Sequence, residues 1–334
     1  MAKGSYLKQL FQSFSDGDTD SFTRTAHSII EEEKRKNHYQ LADDLQKIIN
    51  SISSKQFRKA ESNFQNNYLH LLPKDKDSNF SLVDIKSSDV LLEDLVLQED
   101  IEENISELIK EYETSEILAA YGLKPRNKYL FCGPPGCGKT LTAKAIAGEL
   151  DLPILYTRFD SIVSSYLGET ASNLRKIFDF VTQGNWILFF DEFDAISKQR
   201  DSNDEHGELK RVVNSFLQLL DNYEGNSIII AATNHQNILD SAIWRRFDDV
   251  ILFEKPSLNE IYNLLKKNLK RYPIKDIDLE IISEKLEGFS HSDIERVCLN
   301  AIRKAIIESK TVLNQDDLLL QVNLYQKRNN IYTI

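Results

Sequence analysis

The sequence predicts an α/β fold: a parallel five-stranded sheet with helices on both faces, flanked by helical segments at either end. Three observations carry that expectation. Five short apolar runs of strand length alternate with segments whose apolar residues recur at helical spacing. The runs are continuously apolar rather than alternating, which suits parallel strands covered on both faces. Between the first run and the helix after it lies GPPGCGKT, Gly133 to Thr140, a glycine-rich turn at a strand-to-helix junction.

Taken in order, residues 1–72 are expected to form a helical N-terminal module. Tyr6, Leu7, Leu10, Phe11 and Phe14 fall at helical spacing, as do Leu41, Leu45, Ile48, Ile49 and Ile52. The run Glu31-Glu32-Glu33-Lys34-Arg35-Lys36 mixes signs at the density of a solvated helix face. Residues 73–79 are polar, begin with Pro73 and read as a linker. The α/β unit is expected over residues 80–255. Ile101, Ile105, Leu108 and Ile109 mark its first helix, and a short one ends near Gly122 with Pro125 beyond it. Residues 129–132 make the first strand and residues 141–147 the helix after the glycine-rich turn. Residues 154–156, 186–190, 228–232 and 250–253 make the other four strands. Leu174, Ile177, Phe178 and Val181 form one intervening helix face, and Val212, Val213, Phe216, Leu217 and Leu220 form another. Pro256 ends the alternation. Residues 256–334 are expected to be a helical lid, from Ile261, Leu264, Leu265 and Leu269 and then Ile294, Val297, Cys298, Ala301 and Ile302.

Bulk properties narrow the partners. At 334 residues the chain is long enough for two or three domains, and 41% hydrophobic with 28% charged residues supports a core of normal size. A net charge of −11 makes the whole molecule a poor match for a polyanion, so nucleic acid is not an expected partner. Cys132, Cys137 and Cys298 include no CxxC pair and suggest no disulfide framework, so a cytoplasmic location is expected. No signal-peptide pattern opens the chain, and no run reaches the roughly 18 apolar residues of a membrane span.

The glycine-rich string fits G-x-x-x-x-G-K-[ST], the phosphate-binding P-loop. Gly133, Gly136 and Gly138 let the backbone curl around phosphate without Cβ clashes, with Pro134, Pro135 and Cys137 between them. From Lys139 through Leu141 a helix begins, which sets N–H groups and the helix dipole behind the anion. Lys139 can reach the β- and γ-phosphates, and the Thr140 hydroxyl can hold Mg²⁺. Cys137 reads as a small tolerated side chain. Phe189-Phe190-Asp191-Glu192 delivers two acids at a strand's C-terminal end, where open α/β sheets bind ligands. Asp191 can hold Mg²⁺ through its water shell, and Glu192 suits the activation of a water.

Three weaker signals follow. Asn234 ends the strand Ala231-Ala232-Thr233, either as a turn former or as a contact to the γ-phosphate or the water. Arg245 and Arg246 in Trp244-Arg245-Arg246-Phe247-Asp248 are either a surface pair or fingers that reach a neighbouring subunit's γ-phosphate. Tyr166, Leu167 and Gly168 put an aromatic on a loop tip before a helix whose N-cap lies near Glu169 or Thr170.

Together GPPGCGKT, FFDEFD, AATN and RRFD, in this order and at these distances, resemble the ATPase module of AAA+ proteins, over about residues 128–307. They are similar in particular to the AAA subgroup with an aromatic-hydrophobic-Gly pore loop and paired arginines. GFSHSDI, Gly288 to Ile294, is similar to that family's G-x-S-G-x-D-I lid signature, with His291 where Gly is usual. The resemblance implies ATP and Mg²⁺ as cofactors, Lys139 as the phosphate lysine, and Thr140 and Asp191 at the metal. It implies Glu192 as the catalytic acid, Asn234 as the first sensor, Arg245 and Arg246 as fingers acting in trans, and Tyr166 and Leu167 as a channel lining that grips polypeptide. It implies a homo-oligomer, usually a hexamer, that works on a protein substrate. SYLGETASNLRKIFD, GELKRVVNSFLQ and SAIWRRFD, with SIIEEEKRKNHYQLADDL, resemble bacterial AAA ATPases paired with a subtilisin-like serine protease in plasmid-incompatibility and phage-defence modules. The chain carries no G-x-S-x-G elbow and no HExxH motif, so peptidase activity would belong to another chain. The expected function is ATP-driven remodelling or unfolding of proteins. The alternative is a nucleotide-gated switch that regulates a partner without threading.

Overall fold

The computed structural model describes residues 25, 29–30, 72–76, 79–158, 167–193, 206–234 and 241–332. The chain divides into two compact units, Met1–Leu71 and Leu72–Ile334. In the first, Thr25, Ile29 and Ile30 are helical, with Thr25 and Ile30 buried. The apolar helix faces expected around Leu10 and Leu45 lie outside the described residues.

Within the second unit the described residues build a sheet of six strands rather than the expected five. The strands are β1 (Asp84–Lys86), β2 (Lys128–Cys132), β3 (Ile154–Arg158), β4 (Ile187–Asp191), β5 (Ile228–Thr233) and β6 (Asp249–Leu252), in the order β1-β3-β4-β5-β2-β6. The five expected strands are all present and mutually parallel. The sixth, β1, pairs antiparallel with β3 at one edge, Ile85 opposite Leu155. It escapes sequence reading because Asp-Ile-Lys is three residues long with a single apolar side chain, too little to register a period of two.

Buried strands follow from buried side chains. All six residues of β5 and the first four of β4 are buried, so neither sheet face is wetted there. Helices cover both faces. On one side lie α1 (Glu99–Glu113) and α3 (Lys139–Glu149), whose Ile105, Leu108, Ala143 and Ile146 share a core with Phe131, Phe189 and Ile230. A short α2 (Ser115–Ala120) follows α1. On the other side lie α4 (Leu167–Val181) and α5 (His206–Asp221). There Phe178 and Phe216 pack on Phe190, with ring centroids 6.2 and 5.2 Å away. Phe189 and Phe190 thus face opposite ways, as successive strand residues must. That alternation puts Asp191 on the Phe189 side, toward α3.

After the short α6 (Ser241–Trp244) and β6, the chain becomes helical, with α7 (Leu258–Leu269), α8 (Leu279–Lys285), α9 (His291–Ile307) and α10 (Gln315–Tyr332). These helices share a separate core that includes Leu265, Ile282, Ile294, Val297, Ala301 and Leu318. Capping boxes fix where α7 and α9 start. Ser257 accepts from the Glu260 N–H while the Ser257 N–H donates to the Glu260 carboxylate. Ser290 and Asp293 do the same for α9. Each such cap contributes about 1 kcal/mol. The second one places the first turn of α9 against the glycine-rich loop.

Candidate functional site

The strand order brings the C-terminal ends of β4, β5 and β2 side by side. Those ends deliver Asp191 and Glu192, Asn234, and the loop from Gly133 respectively. Open α/β sheets bind ligands at such ends. A cleft of about 480 Å³ lies there, of a size that suits a small ligand. One wall is residues 135–141 with Asp191, Glu192 and Asn234, and the facing wall is residues 94–97 with parts of α7 and α9.

The loop's shape depends on glycine at two points. At Gly133, φ is 144°, and a Cβ would come within 1.9 Å of the Phe253 carbonyl oxygen. At Gly136, φ is 76°, and a Cβ would meet the Ser292 and Ser290 hydroxyls at 2.4 and 2.7 Å. The Gly136 carbonyl also accepts from the Ser292 N–H at 3.1 Å, so the loop is tied directly to the start of α9. Lys139 is buried, and its Nζ donates to the Gly133 and Pro134 carbonyls at 2.7 and 2.9 Å. The amine is therefore held inside the curve of the loop, beside the N–H groups that open α3.

Across from it, the Asp191 carboxylate carries donors on both oxygens. Thr140 Oγ1 donates to Oδ2 at 3.4 Å, and Tyr156 Oη donates to the same atom. The Glu192 N–H donates to Oδ1 at 2.9 Å. Glu192 adopts φ 53°, a left-handed conformation that is uncommon outside glycine. Its neighbours are fixed, since Phe193 is buried and its N–H donates to the Ala232 carbonyl at 2.8 Å. The chain leaving β4 thus turns sharply at Glu192 and leaves that residue exposed at the cleft. A carboxylate and a hydroxyl, both hard oxygen donors, suit Mg²⁺, and the amine with the helix N-terminus suits phosphate.

Burial pushes the Cys137 thiol up and that of Cys132 up to about 12, with Lys139 opposing more weakly in both. Neither is a reactive thiolate, in keeping with a small tolerated side chain at Cys137. His291, at the cleft wall, is held below the ordinary histidine value by burial, against a weaker pull from Glu260. Neither of its ring nitrogens has a hydrogen-bond partner among the described residues.

Arg245 and Arg246 do not line this cleft. Arg245 is exposed, and Arg246 Nε pairs with Asp221 Oδ2 at 2.8 Å. Tyr166 lies outside the described residues, and of Leu167 only the backbone, at the start of α4, is described. Sequence reading misses one holder of Asp191 and one wall of the cleft. Tyr156 reads only as part of an apolar strand. The wall at residues 94–97 follows a short 3-10 turn, Leu92–Asp94, with no motif of its own. That turn is pinned by the Leu92 N–H donating to Glu149 Oε1 and by Lys267 Nζ donating to the Glu93 carbonyl, both at 2.9 Å.

A mostly parallel sheet with a glycine-rich loop after one strand and paired acids at the end of a nearby one is the arrangement of the P-loop nucleotide-hydrolase class. Residues 129–255 match the family described as "ATPase family associated with various cellular activities (AAA)". The chain is 40% identical over 317 residues to "Uncharacterized AAA family ATPase y4kL" of Sinorhizobium fredii, covering 95% of this chain and 93% of that one. It is 39% identical over 191 residues to a protein of Plasmodium falciparum provisionally named a cell division cycle ATPase, covering 55% of this chain and 16% of that one. The chain belongs to the AAA family of ATPases.

Proposed function

We propose that this chain is a ring-forming ATPase that uses Mg²⁺-dependent ATP hydrolysis to remodel or unfold protein substrates. The observation that carries the reading is the gathering of Lys139, Thr140, Asp191, Glu192 and Asn234 around one cleft at the strand ends. Lys139 and the loop N–H groups bind the β- and γ-phosphates. Thr140 and Asp191 hold Mg²⁺, which when bound neutralises charge on the phosphates. Glu192, exposed at the cleft, takes the proton of the attacking water, and Asn234 orients that water. Arg245, exposed and away from its own cleft, serves the site of the next protomer, with Arg246 beside it.

In this reading the helices after Pro256 act as a lid, because the contact between Ser292 and Gly136 makes α9 respond to what the loop holds. Tyr166 and Leu167 grip the polypeptide in a central channel of six subunits. A subtilisin-like protease is the proposed partner, in a plasmid-incompatibility or phage-defence setting, and the cytoplasm is the proposed compartment. Among the described residues no helix is long and apolar enough to cross a membrane.

The contact between Ser292 and Gly136 also favours a second reading, in which nucleotide occupancy moves the C-terminal helices and gates a partner without threading. Glu192→Gln tests the chemistry. That variant is expected to bind ATP and assemble while turnover falls by about 10²–10⁴-fold, and turnover near the parent rate would remove Glu192 as the base. ATP-driven unfolding of a stable tagged protein separates the two readings. Unfolding by the parent chain supports the remodeller, and its absence with intact ATPase supports the switch.

A further inference from the structure

The sheet register places one more side chain at the acid end of β4. Tyr156 of β3 lies opposite Phe189, and Arg158 opposite Asp191. Side chains alternate along a strand, so Phe189 and Asp191 leave β4 on the same face, and Tyr156 leaves β3 on that face too. The Tyr156 and Phe189 ring centroids are 5.4 Å apart. Asp191 is then the diagonal neighbour of Tyr156, at a backbone spacing of about 7–8 Å that a tyrosine spans. The phenol completes that reach by donating to Asp191 Oδ2.

The ring has little freedom to leave. Phe189 packs on one flank, and Lys86 Nζ of β1 sits 5.2 Å from its centroid. Lys86 faces Ile154 in the antiparallel pairing, so the edge strand that sequence reading missed is what braces Tyr156. The other hydroxyl on Oδ2, Thr140 Oγ1, is at 3.4 Å, the long end of hydrogen-bond geometry. The phenol is therefore the principal side-chain hold on that oxygen. The Glu192 N–H holds Oδ1, so the Asp191 rotamer and the turn at Glu192 are linked through one carboxylate.

We propose that Tyr156 is a positioning residue for the metal centre: it fixes the Asp191 carboxylate in the orientation that receives hydrated Mg²⁺. This inference rests on the reading above that Asp191 holds the metal. Outer groups that orient a ligating carboxylate typically change metal affinity by about 10–100-fold when removed. A tyrosine bound merely as a satisfied strand residue would do no such thing, because Tyr156→Phe keeps the ring, its packing on Phe189 and its place under Lys86.

The experiment uses the full chain with ADP and Mn²⁺ as a spectroscopic substitute for Mg²⁺, reading bound metal by electron paramagnetic resonance. Nucleotide affinity in EDTA and the thermal midpoint are measured alongside. For Tyr156→Phe the Mn²⁺ half-saturation is expected to rise about tenfold, with metal-free nucleotide affinity unchanged and the midpoint lower by no more than about 4 °C. In an Asp191→Asn background the same substitution is expected to add no further shift. A Mn²⁺ curve for Tyr156→Phe that coincides with a metal-dependent parent curve overturns the inference and leaves the assignment of Asp191 intact. A shift of equal size in the Asp191→Asn background also overturns it. A parent chain whose nucleotide binding draws in no Mn²⁺ removes the Asp191 assignment and this inference together.

Discussion

Replacing Gly133 by alanine would drive a methyl group to within 1.9 Å of the Phe253 carbonyl oxygen. Comfortable separation for such a pair is about 3.5 Å, so one backbone must retreat by roughly 1.5 Å. Neither side can do so freely. The Gly133 N–H donates to the Thr233 carbonyl at 3.2 Å, which ties the loop to β5. The Phe253 N–H donates to the Cys132 carbonyl at 2.7 Å, and the Phe253 ring is buried 5.1 Å from that of Phe131. Overpacking of this kind costs about 1–3 kcal/mol. A non-glycine residue at φ 144° adds about 1–3 kcal/mol, and a lost backbone hydrogen bond about 1 kcal/mol. The expected destabilisation is roughly 3–7 kcal/mol, a large fraction of a typical domain's stability. In differential scanning fluorimetry that corresponds to a fall in Tm of about 6–28 °C. Gly138→Ala is the control. It also has positive φ, at 98°, but its added Cβ meets nothing within 4 Å. Its cost should be near 1 kcal/mol, a fall of about 2–4 °C. Equal Tm losses for the two variants, or a Gly133→Ala loss under about 3 °C, would refute the packing argument.

Two further outcomes follow from the geometry. Arg246→Ala breaks a half-exposed ion pair with Asp221 and should lower stability by no more than about 1 kcal/mol, so urea denaturation that shows a larger loss would contradict a surface role for that pair. Burial alone would raise the Asp293 carboxyl, but hydrogen bonds from Tyr325 and Ser290 outweigh it and hold the group below the ordinary carboxylate value. A depressed folded-state value stabilises the fold above the ordinary carboxylate range and is lost as pH falls. Tyr325→Phe should therefore cost a few tenths to about 1 kcal/mol at neutral pH and much less below the carboxylate range, as urea midpoints at both pH values would report.

What the sequence showed follows from what was local. The five parallel strands are continuous apolar runs, and the burial of the four inner ones follows from composition, whereas only Ile251 is buried in β6, at the sheet edge. The glycine-rich loop and the acids after Phe190 are contiguous strings, so their chemistry is visible without coordinates. The features that escaped depend on pairing across the sheet. Tyr156 meets Asp191 only because β3 lies beside β4 in a particular register, 35 positions apart in the chain. The β1 strand is too short to show a period, and its identity comes from the partner it pairs with. The Arg246 and Asp221 pair joins residues 25 positions apart, which distinguishes two arginines that look equivalent in RRFD. The facing wall of the cleft is legible only in part: His291 and Ser292 of α9 fall in GFSHSDI, whereas the spacing in α7 advertises only a helix face turned to a core.

The central claim is that each nucleotide site is completed by an arginine from the next protomer, and mixing two inactive chains tests it most directly. Lys139→Ala removes the buried amine proposed to bind the phosphates but keeps an exposed Arg245. Arg245→Ala keeps the site and removes the arginine, with an expected loss in turnover of about 10³–10⁵-fold. Co-assembled, the first chain can lend its Arg245 to the site of the second, and steady-state ATP hydrolysis should climb far above the sum of the two separate preparations. A mixture that hydrolyses no more than that sum, under conditions where the chains demonstrably exchange, would contradict the claim.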